Sequence, residues 1–450
     1  MAEKLFGKTV RKKEVFYDGF AVGEIQDENV LSGDFSVNCH FENNKLVYGT
    51  GVKPYEVDGV AVQLPGAVQG NFFIVWDSDA NGNKRERIGY ITEQNNAFIH
   101  LKDSNAFSNI GALNSGAAAV SAIDKDGKNT AIFVCELGIC RLEERKLVLC
   151  DETPCQPIAC FCGGRVFAVT KDFRLMYSAP FAPTDYTANV DDSGAIILRH
   201  DAGKIVGLTA LKNRLCVLYE YGISMIDLDG TARSFVRKDV EYSGGRIFGE
   251  TVCVANVSGE KAYFLAAEGI YLFDGIRVEK ICKNLAVYAI VNTPCGRAVC
   301  EGKYYVTFTD ENYLQKTVCV DLESGLGEET FPMYGLYSVN GKAVCRYRTN
   351  LYVLSNRGEL PSGIEAVFQA LKTNFSVSGS KTLTALRFVG EGSFELQVSI
   401  GKKSKTQTVV FQDGFARVPI GLRGYRFSLT VKPLKGTEIR NMTAELQMLV

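Results

Sequence analysis

The chain has 450 residues, with 50 Lys and Arg against 51 Asp and Glu for a net charge of −1; it is 46% hydrophobic and 11% aromatic. That balance excludes a disordered chain, and it gives no overall electrostatic case for nucleic acid or a membrane surface, although a local basic patch remains compatible with it. No run approaches the roughly 18 consecutive apolar residues of a membrane span.

Residues 1–13 carry charge but no apolar stretch, so they do not read as a secretory signal, and the chain is expected to be made and kept in a cytosol. Residues 1–40 read as an irregular or partly stranded lead-in. Asn44–Tyr48 and Asn71–Trp76 look like divergent hairpin strands, the second continuing through the turn Asp77–Asn83 into Arg87–Ile91. From residue 129 a hairpin recurs: Asn129–Ile139, Asn213–Ile223 and Glu260–Ile270 each hold an alternating apolar strand, a short turn closed by glycine, and a second strand opening with isoleucine. Asn350–Gly358 repeats the first half, and weaker copies stand at Gly164–Asp172 and Gly302–Thr309.

The turn glycines Gly138, Gly222, Gly269 and Gly358 are separated by 84, 47 and 89 residues, so the repeat is one period or two. A fixed period of roughly 40–45 residues of strand is what a four-stranded propeller blade produces. Further short strands (Ala195–Arg199, Lys204–Leu208, Thr251–Ala255 and Leu336–Val339) fill the intervals. The count gives six to eight blades, with seven as the central number. The one candidate helix is Gly363–Lys372. Beyond it the strands lengthen and alternate strictly (Thr382–Val389, Phe394–Ile400, Thr406–Phe411, Tyr425–Val431 and Thr443–Leu449), as in a small antiparallel sandwich with one buried and one wet face per sheet. The expected architecture is all-β: a propeller with its lead-in over 1–362, then a β-sandwich over 363–450.

The residues point to no catalytic, cofactor or metal site. Asp77, Asp79, Asn81 and Gly82 match the opening of a calcium loop, but Ile88 and Arg85 stand where the later carboxylate would be, and the same residues make an ordinary hairpin turn. Asp124–Gly127 is a similar turn. His40, His100 and His200 accompany no nucleophile elbow, and there is no P-loop or Gly-x-Gly-x-x-Gly. Paired carboxylates for glycoside hydrolysis could come from distant blades, but the single tryptophan, Trp76, is poor provision for a sugar platform. The basic clusters Arg11–Lys13, Lys84–Arg87 and Gly401–Lys405 read as solvated loops, with phosphate or an acidic partner as the sharper alternative. All 14 cysteines except Cys39 lie between Cys135 and Cys345, none in a Cys-x-x-Cys. Their alternating strand positions suit buried packing in inner blade strands better than zinc.

Residues 174–281 carry a resemblance. Arg174–Tyr186, Lys204–Ile226 and Phe264–Ile281, in that succession, look like the propeller proteins of tailed bacteriophages and prophages: tail hub, tail nozzle and packaged-DNA stabilisation components. Asn29–Gly33 and Gly51–Tyr55 are similar in kind but looser, Tyr186 stands where such proteins often carry tryptophan, and residues 1–130 match poorly. The resemblance implies a non-enzymatic structural part of the virion tail, synthesised in the bacterial cytoplasm. It further implies contact with other tail or portal-proximal proteins, a homo-oligomeric ring around the DNA channel, passive contact with DNA, and no cofactor. The alternatives are a host-surface propeller that binds glycan or receptor and, further off, a propeller glycoside hydrolase.

Overall fold

The computed structural model describes residues 3–5, 8–22, 30–42, 44–49, 51–57, 59–64, 72–92, 94–101, 106–113, 117–187, 192–198, 201–231, 234–290, 296–339, 342–347, 349–355, 358–370 and 372–449. His200 and Cys295 lie outside them.

The repeat resolves into seven antiparallel blades of four strands. Blades one to six open with the inner strands Phe72–Ser78, Ala118–Ile123, Cys155–Cys162, Ile205–Leu211, Ile247–Asn256 and Gly296–Cys300, and each runs outward in chain order. Blade seven takes Tyr334–Val339, Lys342–Tyr347 and Asn350–Ser355, and its outer strand is Gly51–Pro54 from the other end of the chain. Each inner strand touches the inner strands on both sides, so the ring is closed.

Blades stack face to face, so their second strands are buried on both sides: Arg165–Thr170 is buried throughout, while the outer strand Lys146–Asp151 is not buried at any position. A separate apolar layer fills each of the seven junctions. Most of the described cysteines sit in these layers, among them Cys135 and Cys140 between blades one and two, Cys216 between four and five, and Cys300, Cys319 and Cys345 between six and seven. Burial holds the Cys216, Cys319 and Cys345 thiols up at about 12, where they remain protonated small hydrophobes.

The recurrent hairpin is the second and third strand of a blade. Its glycine is required at Gly138, where φ is +122° and an added Cβ would lie 2.0 Å from the Asp151 carbonyl oxygen. Asn350–Gly358 is out of phase with the others: it holds the third strand of blade seven, and its next partner is Gly51–Pro54, not a following segment.

The sandwich is assembled from both ends of the chain, which corrects the expected division at residue 362. One sheet orders Glu3–Leu5, Lys8–Tyr17, Glu438–Leu449, Lys381–Glu391 and Phe415–Gly424, with the hairpin Cys39–Glu42 and Lys45–Tyr48 attached to Glu438–Leu449. The other orders Leu31–Val37, Val367–Ala370, Ser428–Pro433, Ser393–Ile400 and Lys403–Val410. The lead-in is thus part of the sandwich core, contributing Phe20, Leu31, Cys39 and Leu46 to the layer that holds Phe368, Phe388, Phe394 and Phe427. In place of the candidate helix at 363–372 there is a short strand, Val367–Ala370, which pairs on both sides with Phe368 and Ala370 buried. Phe415–Gly424, unread in the sequence, alternates around Pro419 at the edge of its sheet, where a missing N–H is tolerated.

The two bodies share hydrogen bonds. Leu31–Val37 lies beside the outer strand of blade six in parallel, pairing Val37 with Glu329, so blade six and one sandwich sheet form a single ten-stranded sheet. Asn38 stands at that joint. Its Oδ1 accepts from the Phe331 N–H at 2.5 Å and the Thr330 hydroxyl at 3.2 Å, its Nδ2 donates to the Glu365 carbonyl at 2.7 Å, and its N–H donates to the Glu329 carbonyl at 2.9 Å.

The outer face of the first sandwich sheet carries a charge ladder in which Glu445 accepts from Arg417 and pairs with Arg387 at 3.2 Å. The Arg417 hydrogen bonds hold the Glu445 carboxyl below its ordinary value, and those of Arg440 do the same for Glu438. Because these folded-state values are depressed, the stabilisation is complete above the unfolded carboxyl value of about 4.3 and disappears as pH falls through the folded one. The urea midpoint, followed by far-ultraviolet circular dichroism, should therefore fall between about pH 5 and pH 3, and Glu445→Gln should flatten that fall.

Candidate functional site at the mouth of the central channel

In each blade the first and third strands run one way and the second and fourth the other. The turns joining second to third strands therefore share a face with the links between blades. The inner strands begin at this face, and their first residues line a cavity of about 650 Å³. Its wall includes Phe72, Ala118, Gln156, Val206, Gly249 and Arg297.

Four inner strands lose register where they line the cavity: between Cys155 and Ala159, Ile205 and Gly207, Phe248 and Cys253, and Tyr334 and Tyr337. Bulges of this kind free backbone groups from the ladder and re-aim side chains, and they gather beside functional sites. The blade-five bulge is held in place: the Thr251 hydroxyl donates to the Phe248 carbonyl at 2.5 Å and accepts from the Leu265 N–H at 2.9 Å, while the Tyr304 hydroxyl donates to the Thr251 carbonyl at 2.7 Å.

The ionic groups at the mouth differ in their partners. Arg246 pairs with Glu220 at 3.4 Å. The Lys204 ammonium stands over the Phe173 ring at 5.0 Å. The Arg297 Nε donates to the Val252 carbonyl at 3.3 Å, and its guanidinium lies over the Tyr337 ring at 5.8 Å. Glu250 is exposed on the blade-five bulge. Of the residues on the wall, Glu220 and Glu250 are the carboxylates. The same face carries exposed apolar side chains around the ring: Leu137, Ile197, Tyr221, Tyr288, Tyr313 and Leu314.

The residues singled out in the sequence lie elsewhere. Asp77 is buried in the inner strand of blade one, and its carboxylate accepts from Arg85 at 2.7 and 2.8 Å and from Arg87 at 3.2 and 3.3 Å. Asp79 instead caps its own turn, accepting from the Asn81 and Asn83 N–H groups at 2.8 and 2.9 Å. The two carboxylates therefore serve different structures: one neutralises arginines and the other closes a hairpin. Asp77→Ala should cost about 2 kcal/mol by removing the buried carboxylate that both guanidiniums share, Arg85 keeping only the exposed Glu144 at 3.5 Å, read as a lower urea midpoint at unchanged slope. Asp124 caps its turn in the same way, accepting from the Asp126 and Lys128 N–H groups.

His100 is buried in blade one with its ring edge-on to Phe107 at 5.3 Å. Trp76 lies under the Lys84 ammonium at 4.7 Å, so Lys84–Arg87 is a strand segment engaged with its own blade, not a solvated loop. Arg11–Lys13 is an exposed stretch of strand, and Lys403 and Lys405 stand on an edge strand of the sandwich. Tyr186 is buried between blades two and three, its hydroxyl without a hydrogen-bond partner among the described residues. The mouth itself was not read from the sequence. Its available signal was Arg297, a charged residue at an alternating position of an otherwise apolar strand.

No protein-family model matches the chain, and no curated protein matches it. Among solved structures it is similar to a chain of the mitotic checkpoint complex, with 10% identity and a TM-score of 0.42, covering 67% of this chain and 94% of that one. It is also similar to BBS1N in complex with ARL6DN, with 10% identity and a TM-score of 0.43, covering 67% and 98%. A third similarity is to YCF48 bound to D1 peptide, with 9% identity and a TM-score of 0.42, covering 69% and 97%. The assignment of the fold rests on the closed ring of seven sheets, not on these likenesses.

Proposed function

We propose that the chain is a non-enzymatic structural component of a bacteriophage or prophage tail that acts through protein–protein contacts in a symmetric assembly. The observation that carries the reading is the succession of segments over residues 174–281, which resembles the propeller proteins of tailed phages and falls on blades three, four and five. A closed propeller joined to its sandwich by one continuous sheet is a rigid building block, and its loops can dock neighbours without disturbing the core. The bore of one propeller is lined by contacting inner strands, so a DNA duplex would run between copies, in a ring they form together. Its partners would be other tail or portal-proximal proteins. A second reading, a propeller that recognises a glycan or receptor at the host surface, is favoured by the exposed Tyr221, Tyr288 and Tyr313 on the face with the channel mouth.

Quantitative mass spectrometry of gradient-purified particles, collected after prophage induction in the source bacterium, tests the proposal. The chain should appear at a fixed, small multiple of the portal protein. Its absence from intact particles would end the virion reading.

A further inference from the structure

The channel mouth contains a cation, Arg297, that pairs with no carboxylate among the described residues. Arg297 sits on the inner strand of blade six, between Gly296 and Ala298, which are buried; its own side chain turns into the cavity. Its guanidinium donates to the Val252 carbonyl and lies over Tyr337, and among the described residues it forms no ion pair with a carboxylate. Arg246 on the same wall has Glu220, and Arg85 and Arg87 have Asp77. One carbonyl and a ring replace only part of the hydration that a half-buried guanidinium loses, and its planar fork matches the two oxygens of a carboxylate or phosphate.

The surroundings are shaped for an occupant. Blades five and seven flank Arg297, and both break their ladders beside it, at Gly249–Val252 and at Gly335–Leu336. Three glycines on this wall, Gly249, Gly296 and Gly335, let neighbouring inner strands approach closely: an added Cβ would lie 1.9 Å from the Val206 carbonyl oxygen, 2.8 Å from the Leu336 nitrogen and 3.0 Å from the Phe72 ring, respectively. The cavity of about 650 Å³ is of the size that holds a metabolite. The wall also carries Lys204 and, on the blade-five bulge that flanks Arg297, the Glu250 carboxylate, the latter suited to a hydroxyl or amine on the same ligand.

We propose that the mouth of the channel binds a small molecule bearing a carboxylate or phosphate group, with Arg297 receiving the oxyanion. Such a site goes beyond a tail-assembly role and stands or falls independently of it.

The test is thermal unfolding of the full chain titrated with inorganic phosphate or with succinate, each against chloride at equal ionic strength. Wild type should show a saturable rise in Tm, and which anion produces it distinguishes the two sources of the oxyanion. Arg297→Gln should weaken the apparent affinity at least about tenfold, as expected for loss of a charge-assisted pair, Arg297→Lys should fall between, and the exposed Arg426→Gln should change nothing. No saturable rise with either anion, or an equal rise in Arg297→Gln, overturns the proposal. If Arg297→Gln does not fold, phenylglyoxal modification of the wild type, read by peptide mass spectrometry, decides the matter. The anion should protect Arg297 and leave Arg426 reactive, and failure to protect Arg297 overturns the proposal.

Discussion

A chain ending at residue 362 should aggregate, whereas one trimmed at both ends to 50–362 should remain a soluble propeller. The reason is that the sandwich has no C-terminal half that can be removed cleanly. Without residues 363–450, Lys8–Tyr17 loses Glu438–Leu449, and Leu31–Val37 loses Val367–Ala370. Phe20, Leu31 and Leu46, all but fully buried in the intact chain, would then face water at a cost of about 1.5–3 kcal/mol each. Unpaired strand edges would lie next to that apolar surface, the combination that templates association between chains. Trimming both ends removes these strands together and keeps Gly51–Pro54, which closes blade seven. Size-exclusion chromatography with Trp76 emission as the probe separates the outcomes. A monomeric 1–362 chain with native emission would show that the N-terminal strands do not depend on their C-terminal partners.

The second large effect is expected at Asn38. Replacement by alanine strips the acceptor from the Phe331 N–H and the Thr330 hydroxyl and the donor from the Glu365 carbonyl, all at one buried joint. Leaving buried polar groups unpartnered costs about 1–3 kcal/mol apiece, so Asn38→Ala should lose about 4 kcal/mol in total. The backbone at this position has φ +58°, a conformation asparagine adopts more readily than alanine, which adds to the loss. Asn38→Asp keeps the accepting oxygen, but as a carboxylate it would bury a charge against the Glu365 carbonyl; at about pH 5 a buried carboxyl is protonated and donates there in place of the amide, so its urea midpoint at that pH should fall less than that of Asn38→Ala. Equal midpoints at that pH would mean that these hydrogen bonds contribute nothing.

The parts of the fold that could be read from sequence are those made by neighbours in the chain. The hairpins at Asn129–Ile139, Asn213–Ile223 and Glu260–Ile270 announce themselves because turn, glycine and alternation occur within eleven residues. Blade seven is different, since Asn350–Ser355 and its partner Gly51–Pro54 lie about 300 residues apart and nothing local marks them as a pair. The lead-in was opaque for the same reason: Lys8–Tyr17 acquires meaning only beside Glu438–Leu449. Gly363–Lys372 is ambiguous because Ile364, Val367, Phe368 and Leu371 follow helical spacing while Ala366, Phe368 and Ala370 alternate as in a strand, and only pairing with Leu31–Val37 decides it. The candidate site was hidden further still. Arg297 is one arginine among many until blades five and seven bring their bulges to either side of it.

The order in which a ribosome delivers this chain runs against the order in which the sandwich can close. Lys8–Tyr17 emerges more than 400 residues before its partner Glu438–Leu449, so at bacterial or eukaryotic rates of about 5–20 residues per second the early strand waits roughly 20–80 s for its mate. During that interval the six blades between residues 72 and 330 can form in succession, but the ring cannot seal until blade seven arrives and captures Gly51–Pro54. Sealing the ring and completing the sandwich are therefore late, long-range events, and the growing polypeptide is most open to chaperones and to mispairing with its own copies just before they occur.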